Sequence, residues 1–242
     1  MSRPLVALLT GAGVSTDSGI PDYRGPAGLW RAEPDAEKLV TIGPYLADPE
    51  VRRRSWLMRA GLAAVAPKPN AAHRAVADLE RGGTPVRVIT QNVDGLHQAA
   101  GLSPRKVLEL HGNAQGVRCA RCAARSTMAE ALERVAAGEP DPSCRECGGV
   151  LRPTTVMFGE NLDPVVLGDA TAIAKAASVF VAAGSSLTVR PAAALVGIAA
   201  EHGARLIIVN AEETPYDSLA DTVVREPIGT ALPALLRRVA AG

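Results

Sequence analysis

The four cysteines of the chain form two pairs whose spacing is typical of a metal site. Each pair has the form C-x-x-C, and 21 residues separate the pairs, which consist of Cys119, Cys122, Cys144 and Cys147. Four thiolates can close a tetrahedral zinc site, which leaves no ligand position for water. The spacing therefore predicts one structural Zn²⁺ rather than a catalytic ion. Four unrelated buried thiols are the alternative, and two matching pairs argue against it.

His111 is the best candidate for a general base. It follows a short apolar segment, precedes Gly112 and lies shortly before the first cysteine pair. An imidazole can accept a proton near neutral pH. A histidine can also be purely structural, and we interpret the other three in that way. His73 and His202 fall on predicted helices, and His97 is expected to brace its own loop.

A glycine-rich stretch near the start of the chain could hold a nucleotide. The apolar run Leu5–Leu9 leads into GAGVSTDSGIPDYR, residues 11–24. Gly11 and Gly13 would let the backbone approach a pyrophosphate closely. A dehydrogenase fingerprint would place its third glycine at Thr16 and an acidic residue about 20 positions later, and both are missing. A hydride-transferring dehydrogenase is therefore disfavoured, while an ordinary turn after a strand remains open.

The elements that position these residues alternate between strands and helices. Apolar runs predict buried strands at Leu5–Leu9, Val86–Thr90, Lys106–Leu110, Thr154–Phe158, Val179–Ala183, Arg205–Val209 and Thr222–Val224. Periodicity and capping residues predict helices at Glu50–Val65, Ala71–Arg81 behind Asn70, after Thr127, after Asp163, at Pro191–Gly203 and from about Gly229. The segment 25–49 is expected to be irregular.

This order of elements predicts an α/β fold in which a Rossmann-like, doubly wound, mostly parallel sheet carries a smaller insert domain. We expect that insert domain to combine a zinc ribbon with helices. Residues 1–24, 70–111 and 153–242 are assigned to the nucleotide-binding domain, and residues 25–69 and 112–152 to the small domain.

Composition limits the class of protein. The chain has 242 residues, a net charge of +1 and 47% hydrophobic residues. Such a weak charge argues against a protein that coats nucleic acid. No signal peptide and no apolar run of about 20 residues is visible, so no membrane span is expected and a cytoplasmic location is predicted. The oligomeric state stays open, with a monomer as one option.

Several motifs, in this order, resemble those of the sirtuins, the NAD-dependent protein deacylases. They are GAGVSTDSGIPDYR, QNVDGLHQAAG, LHG, the two C-x-x-C pairs, RPTTVMFGE and the GSS turn. Tyr23 stands where most sirtuins have phenylalanine. The resemblance covers nearly the whole chain and implies NAD and one zinc ion as cofactors. It also implies acylated-lysine proteins as substrates.

The resemblance further implies an activity and its residues. The enzyme would remove acetyl groups from lysine side chains and give nicotinamide, O-acetyl-ADP-ribose and free lysine. His111 would be the catalytic base, with Asn92 at the nicotinamide ribose. The implied cofactor contacts are Gly11, Ala12, Gly13, Ser18, Asp22, Tyr23, Arg24, Trp30, Gln91, Asn92, Asp94, Gly184, Ser185, Ser186, Asn210 and Ile228. The implied substrate contacts, some through an added peptide strand, are Val156, Met157, Phe158, Gly159, Glu160, Leu187, Val189, Trp56 and Arg59.

Three alternatives remain from the sequence. Relatives that prefer succinyl or malonyl lysine carry a tyrosine and an arginine where this chain has Trp56 and Arg59. Arg59 could bind a carboxylate in a bidentate manner, but the phenol hydroxyl is missing, so acetyl removal is favoured. Alternatively, Trp56 is a core residue and Arg59 is solvated. A protein mono-ADP-ribosyltransferase could use the same pocket. The third option is a zinc-ribbon module that has no enzymatic activity and binds nucleic acid.

Overall fold

A computed structural model of the chain describes residues 4–22 and 34–241. Three of the expected cofactor contacts, Tyr23, Arg24 and Trp30, lie outside the described residues. In the described part, the strands are β1 (Val6–Thr10), β2 (Val86–Thr90), β3 (Val107–Glu109), β4 (Gly116–Cys119), β5 (Arg125–Thr127), β6 (Leu151–Pro153), β7 (Val179–Ala183), β8 (Arg205–Val209) and β9 (Thr222–Val224).

The helices of the described part are α1 (Ile42–Ala47), α2 (Pro49–Val65), α3 (Ala71–Arg81), α4 (Leu96–Ala99), α5 (Met128–Ala136), α6 (Pro164–Ala176), α7 (Ala194–Glu201) and α8 (Ile228–Ala241). Short 3₁₀ helices lie at Ala12–Val14, Thr16–Ser18, Pro34–Val40, Pro104–Lys106 and Asp217–Leu219. In these residues, no helix is long and apolar enough to cross a membrane.

Six strands form one parallel sheet in the order β3-β2-β1-β7-β8-β9. β1 is central, with Val6 opposite both Val86 and Val179. All five of its residues are buried, as expected for a strand that is covered on both faces. The strand order reverses between β1 and β7, and open α/β sheets bind ligands at such a point. The predicted Rossmann-like, doubly wound fold is confirmed.

Helices pack on both faces of this sheet. On one face, Val76 of α3 and Leu232 and Leu236 of α8 are buried with alternate residues of the strands. On the other face, Ala174 of α6 and Leu195 of α7 share a core with the remaining strand residues. Because the helices cover the two faces of the sheet, the carboxyl ends of the strands are the place where a ligand can bind.

The second unit is a three-stranded antiparallel sheet in the order β5-β4-β6. Thr127 and Glu130 form the predicted capping box at the start of α5. Trp56 of α2 is fully buried against Val117 and Leu151 of this sheet. We propose that α1, α2 and the antiparallel sheet are the small domain expected from residues 25–69 and 112–152.

Two local predictions were wrong. The expected strand Thr154–Phe158 is irregular, and the strand ends at Pro153 instead. The reason lies in its partners: the amide of Val156 donates to the carbonyl of His111 (2.8 Å), and Phe158 pairs with Val40 and Ile42. In the described part of segment 25–49, expected to be irregular, Pro34–Val40 and α1 are helical.

Other bounds differ by a few residues. The helix expected at Pro191–Gly203 begins at Ala194, after a turn. The strand expected at Lys106–Leu110 is limited to Val107–Glu109. The helix predicted from Glu50 begins at Pro49, because Asp48 caps it and proline fits the first turn.

Candidate functional site

A cavity of about 850 Å³ lies at the point where the strand order reverses. It is lined by the loops that follow β1, β2 and β7, together with His111, the segment after β6 and the residues after β8. The expected contacts that line it are Gly11, Ala12, Gly13, Asp22, Gln91, Asn92, Asp94, His111, Val156, Met157, Phe158, Gly159, Glu160, Gly184, Ser185, Ser186, Val189, Asn210, Ile228 and Arg59. The fold thus brings distant motifs to one place.

Three glycines allow the loops after β1 and β7 to nest against each other. The amide of Gly13 donates to the carbonyl of Gly184 at 2.9 Å. A Cβ on Gly13 would lie 2.8 Å from Cα of Gly184, and a Cβ on Gly184 would lie 2.5 Å from the amide of Val14. A Cβ on Gly11 would lie 2.6 Å from the carbonyl of Gly184. Since the Gly13 amide is used within the protein, the glycines serve the close approach of two loops, which form the floor of the cavity.

Asn92 is held by a buried polar network beneath the cavity. Its Nδ2 donates to the carbonyl of Gly11 (3.0 Å) and to Oγ of Ser15 (3.1 Å), and its amide donates to Oγ1 of Thr90. Ser15 in turn donates to the carboxylate of Asp94 at 2.7 Å. Both hydrogens of the Asn92 side chain are therefore used inside the protein, so this residue offers a ligand its carbonyl oxygen.

The hydrogen bond of His111 fixes its tautomer. Nδ1 lies 2.8 Å from the carbonyl oxygen of Gln91. A carbonyl can only accept, so Nδ1 carries the proton and Nε2 of the neutral ring has a free lone pair. Gln91 itself is held by a bond from its Nε2 to Oγ of Ser185 (2.9 Å). The ring lines the cavity as a preformed proton acceptor.

Burial sets the pH range in which His111 can act. Desolvation lowers the pKa of His111 below its usual value, although the bond to Gln91 acts in the opposite direction. Below its pKa the imidazolium cannot accept a proton, so kcat/KM should fall as the pH falls. We expect the acid limb of the profile to have its midpoint below about pH 6.5. His202→Ala is the control, because an unchanged profile in this variant shows that His202 is not the titrating group. A midpoint above about pH 6.5 in both proteins would contradict the assignment of His111.

The far end of the cavity is built by the residues after β8 and before α8. Asn210 donates from Nδ2 to the carbonyl of Glu212 at 2.9 Å. Arg225 donates from Nη1 to the carbonyl of Asn210 (3.0 Å) and is paired with Asp217. Ile228 begins α8 at this edge of the cavity. Amide and cationic groups here suit a polar ligand such as a ribose.

Three expected contacts do not line the described part of the cavity. Ser18 instead accepts a hydrogen bond from Nδ2 of Asn70 at 3.0 Å. Trp56 is fully buried in the core of the small domain, so its expected contact with the acyl group is wrong. The side chain of Leu187 packs into the core of the parallel sheet, with its backbone at a φ of 54°. A bound peptide could meet Leu187 only through its backbone.

The cysteines meet as predicted. Their four Sγ atoms lie within 4.8 Å of one another, with 3.5 Å between Cys119 and Cys147 and 3.6 Å between Cys122 and Cys144. Zinc–sulfur bonds of about 2.3 Å place tetrahedral sulfurs about 3.8 Å apart. The cluster therefore fits one structural zinc ion, and none of the four cysteines lines the described part of the cavity.

Sequence reasoning did not predict the contacts of two polar residues near the cavity, namely Ser15, which lines it, and the buried His97. Ser15 links Asn92 to Asp94, and His97 contacts Oγ1 of Thr10 through its Nε2 at 3.0 Å. Burial lowers the pKa of His97 to about 3, so its ring is neutral. The position of Ser15 within the glycine-rich motif was the sequence feature that could have identified it as a site residue. His97 was expected to brace its own loop, but its bond reaches across to β1.

Comparison with known proteins agrees with this geometry. The profile described as "Sir2 family" matches residues 11–191. NAD-dependent protein deacetylase 2 of Streptomyces coelicolor is 70% identical over 97% of this chain and 98% of its own. A solved Sir2 enzyme is 40% identical over 98% of this chain and 93% of its own, with a TM-score of 0.88. A Sir2 homologue solved as an NAD complex is 38% identical, covers 98% of this chain and 90% of its own, and has a TM-score of 0.83. The chain therefore belongs to the Sir2 family.

Proposed function

We propose that the protein is an NAD-dependent protein deacetylase that removes acetyl groups from lysine side chains. The observation that carries this proposal is the His111 ring, which lines a cavity at the switch point of a parallel sheet and whose bond to Gln91 leaves Nε2 as the proton acceptor. The 70% identical relative, which bears the name of that activity, supports it.

The residues present fit NAD. The cavity has the size of a cofactor pocket. Its floor is backbone that only glycine allows at Gly13 and Gly184, and its ends carry the side chains of Asp94 and Asn210. When bound, NAD would supply the ribose carbon from which the acyl oxygen displaces nicotinamide and the hydroxyl that receives the acyl group, while water completes the release of the lysine amine.

The chain's own residues would bind and orient NAD, and they would accept one proton. Asn92 presents its carbonyl oxygen to the nicotinamide ribose, and Asp94, held by Ser15, accepts a bond from the carboxamide. His111 takes a proton from a ribose hydroxyl at Nε2, while Gln91 keeps the ring in that tautomer. Asp22, at the mouth, helps to exclude water from the reacting carbon.

The acyl-lysine side of the cavity is assigned to Val156, Met157 and the turn at Gly159. Phe158 cannot offer its backbone to an added peptide strand, since its amide donates to Val40 (2.9 Å) and its carbonyl accepts from Ile42 (2.9 Å). The edges that we propose for the peptide are therefore Gly159 and the loop at Val189, which lie on the same cavity.

Arg59 lines the cavity and is the one observation that favours an acidic acyl group as a second candidate. We expect acetyl-lysine peptide to be turned over with a higher kcat/KM than succinyl-lysine peptide, because Trp56 is buried and supplies no hydroxyl that could bind the carboxylate together with Arg59. Mass spectrometry of both peptides, with Arg59→Met as the control, measures the ratio. A succinyl preference that Arg59→Met abolishes would contradict the acetyl assignment.

A cytoplasmic location is also proposed, because four thiols gathered for a metal need a reducing compartment. Acylated proteins are the proposed partners. No direct binding of nucleic acid is expected, and that expectation stays a prediction.

A further inference from the structure

The glutamate at the end of the cavity's peptide side is held by an ion pair. Both Nη atoms of Arg152 donate to the carboxylate of Glu160, Nη1 to Oε1 and Nη2 to Oε2. The side chain of Arg152 is 5% exposed and that of Glu160 is 21% exposed. Arg118, the cross-strand neighbour of Arg152, lies 3.9 Å from the same carboxylate but is half-exposed. The carboxylate of Glu160 therefore has little remaining capacity to accept hydrogen bonds from a peptide.

The same pair organises the backbone between its two members. Nη2 of Arg152 also donates to the carbonyl of Thr155 at 3.0 Å, and Oε2 of Glu160 accepts from the amide of Met157 at 2.8 Å. The amide of Glu160 donates to the carbonyl of Met157 at 3.0 Å, which closes the turn. The Arg152 guanidinium and the carboxylate that it holds thus fix both ends of residues 155–160, which line the cavity.

This segment also touches the catalytic side and the helical insert. The amide of Val156 donates to the carbonyl of His111 (2.8 Å), and Oγ1 of Thr154 donates to the carbonyl of Asn113 (2.9 Å). Phe158 pairs with Val40 and Ile42. A shift of residues 155–160 would therefore displace the backbone of His111 and the backbone of the helical insert at Val40 and Ile42.

Arg152 belongs to β6, which pairs with β4, the strand that ends at Cys119. Its neighbour Leu151 pairs with Cys119. A buried ion pair adds little net stability compared with an apolar pair, so stability alone does not explain the Arg152–Glu160 pair. Its bidentate geometry fixes position, which a single lysine charge would not do.

We propose that Arg152 is a positioning residue for the acyl-peptide side of the cavity. By holding Glu160 and the carbonyl of Thr155, it sets the place of residues 155–160 relative to His111. It thereby couples the fold of the cysteine-bearing sheet to peptide binding. This proposal rests on the proposed deacetylase function.

The test compares Arg152→Gln, Glu160→Gln and the double variant with the native protein. We expect each to raise the KM for an acetyl-lysine peptide by about tenfold or more, as loss of charged hydrogen bonds would. The double variant should match the single variants, because the two residues act as one unit. The Kd for NAD, measured by calorimetry, should change by less than about twofold, and kcat should change less than KM.

A matched control lies in the same small domain. Arg134 makes a similar bidentate pair with Glu139, with distances of 2.7 and 2.6 Å, and neither residue lines the described part of the cavity. Arg134→Gln should lower the melting temperature without changing the KM for peptide.

Several results would overturn the proposal. One is an unchanged peptide KM in folded, zinc-loaded Arg152→Gln. Others are an equal loss of NAD affinity, the same KM rise in Arg134→Gln, or failure of every variant at the pair, including the charge-neutral double, to fold. A native protein that does not turn over the peptide would contradict the proposed function itself, and this inference with it.

Discussion

Replacing His111 by alanine should lower kcat for deacetylation by about 10³-fold, within the range found when a general base is lost. The ring offers a free lone pair at Nε2 because its Nδ1 hydrogen is committed to the carbonyl of Gln91. Alanine removes that acceptor. The loops that line the cavity are joined by bonds that do not involve the His111 side chain, such as Gly13 to Gly184 and Asn92 to Gly11, so the Kd for NAD should change by less than about twofold.

The measurement is single-turnover release of acetyl from a peptide, with NAD binding determined on the same samples. His202→Ala serves as the matched control, because that histidine is exposed at the C-terminal end of α7, where its Nδ1 bonds to the carbonyl of Ile198 in that helix. A His111→Ala enzyme that turns over at close to the native rate would remove His111 from the chemistry.

Removal of zinc should unfold the small domain rather than merely slow the enzyme. Cys119 and Cys144 are buried in the same small cluster as Trp56 and Met128, so the metal would join the two cysteine pairs within this core. Structural zinc contributes roughly 10 kcal/mol or more to such folds. We expect chelation, or Cys144→Ser, to lower the melting temperature sharply and to abolish turnover.

Thermal unfolding followed by circular dichroism, with the zinc content measured in parallel, tests this expectation. Addition of zinc to the chelated native protein should restore the transition, but it should not rescue Cys144→Ser. A zinc-free protein that melts at the native temperature would show that the cysteines do not hold the fold.

The sequence was informative wherever a local pattern decides the structure. β1 and β7 are continuous apolar runs because a parallel strand is buried on both faces, and both were predicted to within one residue. The capping residues Asn70 and Thr127 identified helix starts because their side chains bind amides only two or three positions away. The spacing of the cysteines likewise predicted the cluster.

Local patterns failed where the partners are distant in the chain. Residues 154–158 are β-branched or apolar, which predicts a strand, yet their backbone is bound by His111, Val40 and the Arg152–Glu160 pair. Trp56 occupies a position that suggested ligand contact, but the antiparallel sheet covers it. Neither outcome is encoded in a short window, because it depends on how the two inserts pack together.

The central claim is that the cavity couples removal of an acetyl group to cleavage of NAD. The most direct measurement is mass spectrometry of the native protein incubated with an acetyl-lysine peptide, with and without NAD. We expect deacetylated peptide, nicotinamide and O-acetyl-ADP-ribose in equal amounts, and only when NAD is present. Release of free acetate without NAD, or ADP-ribose attached to protein while the acetyl group stays in place, would contradict the account.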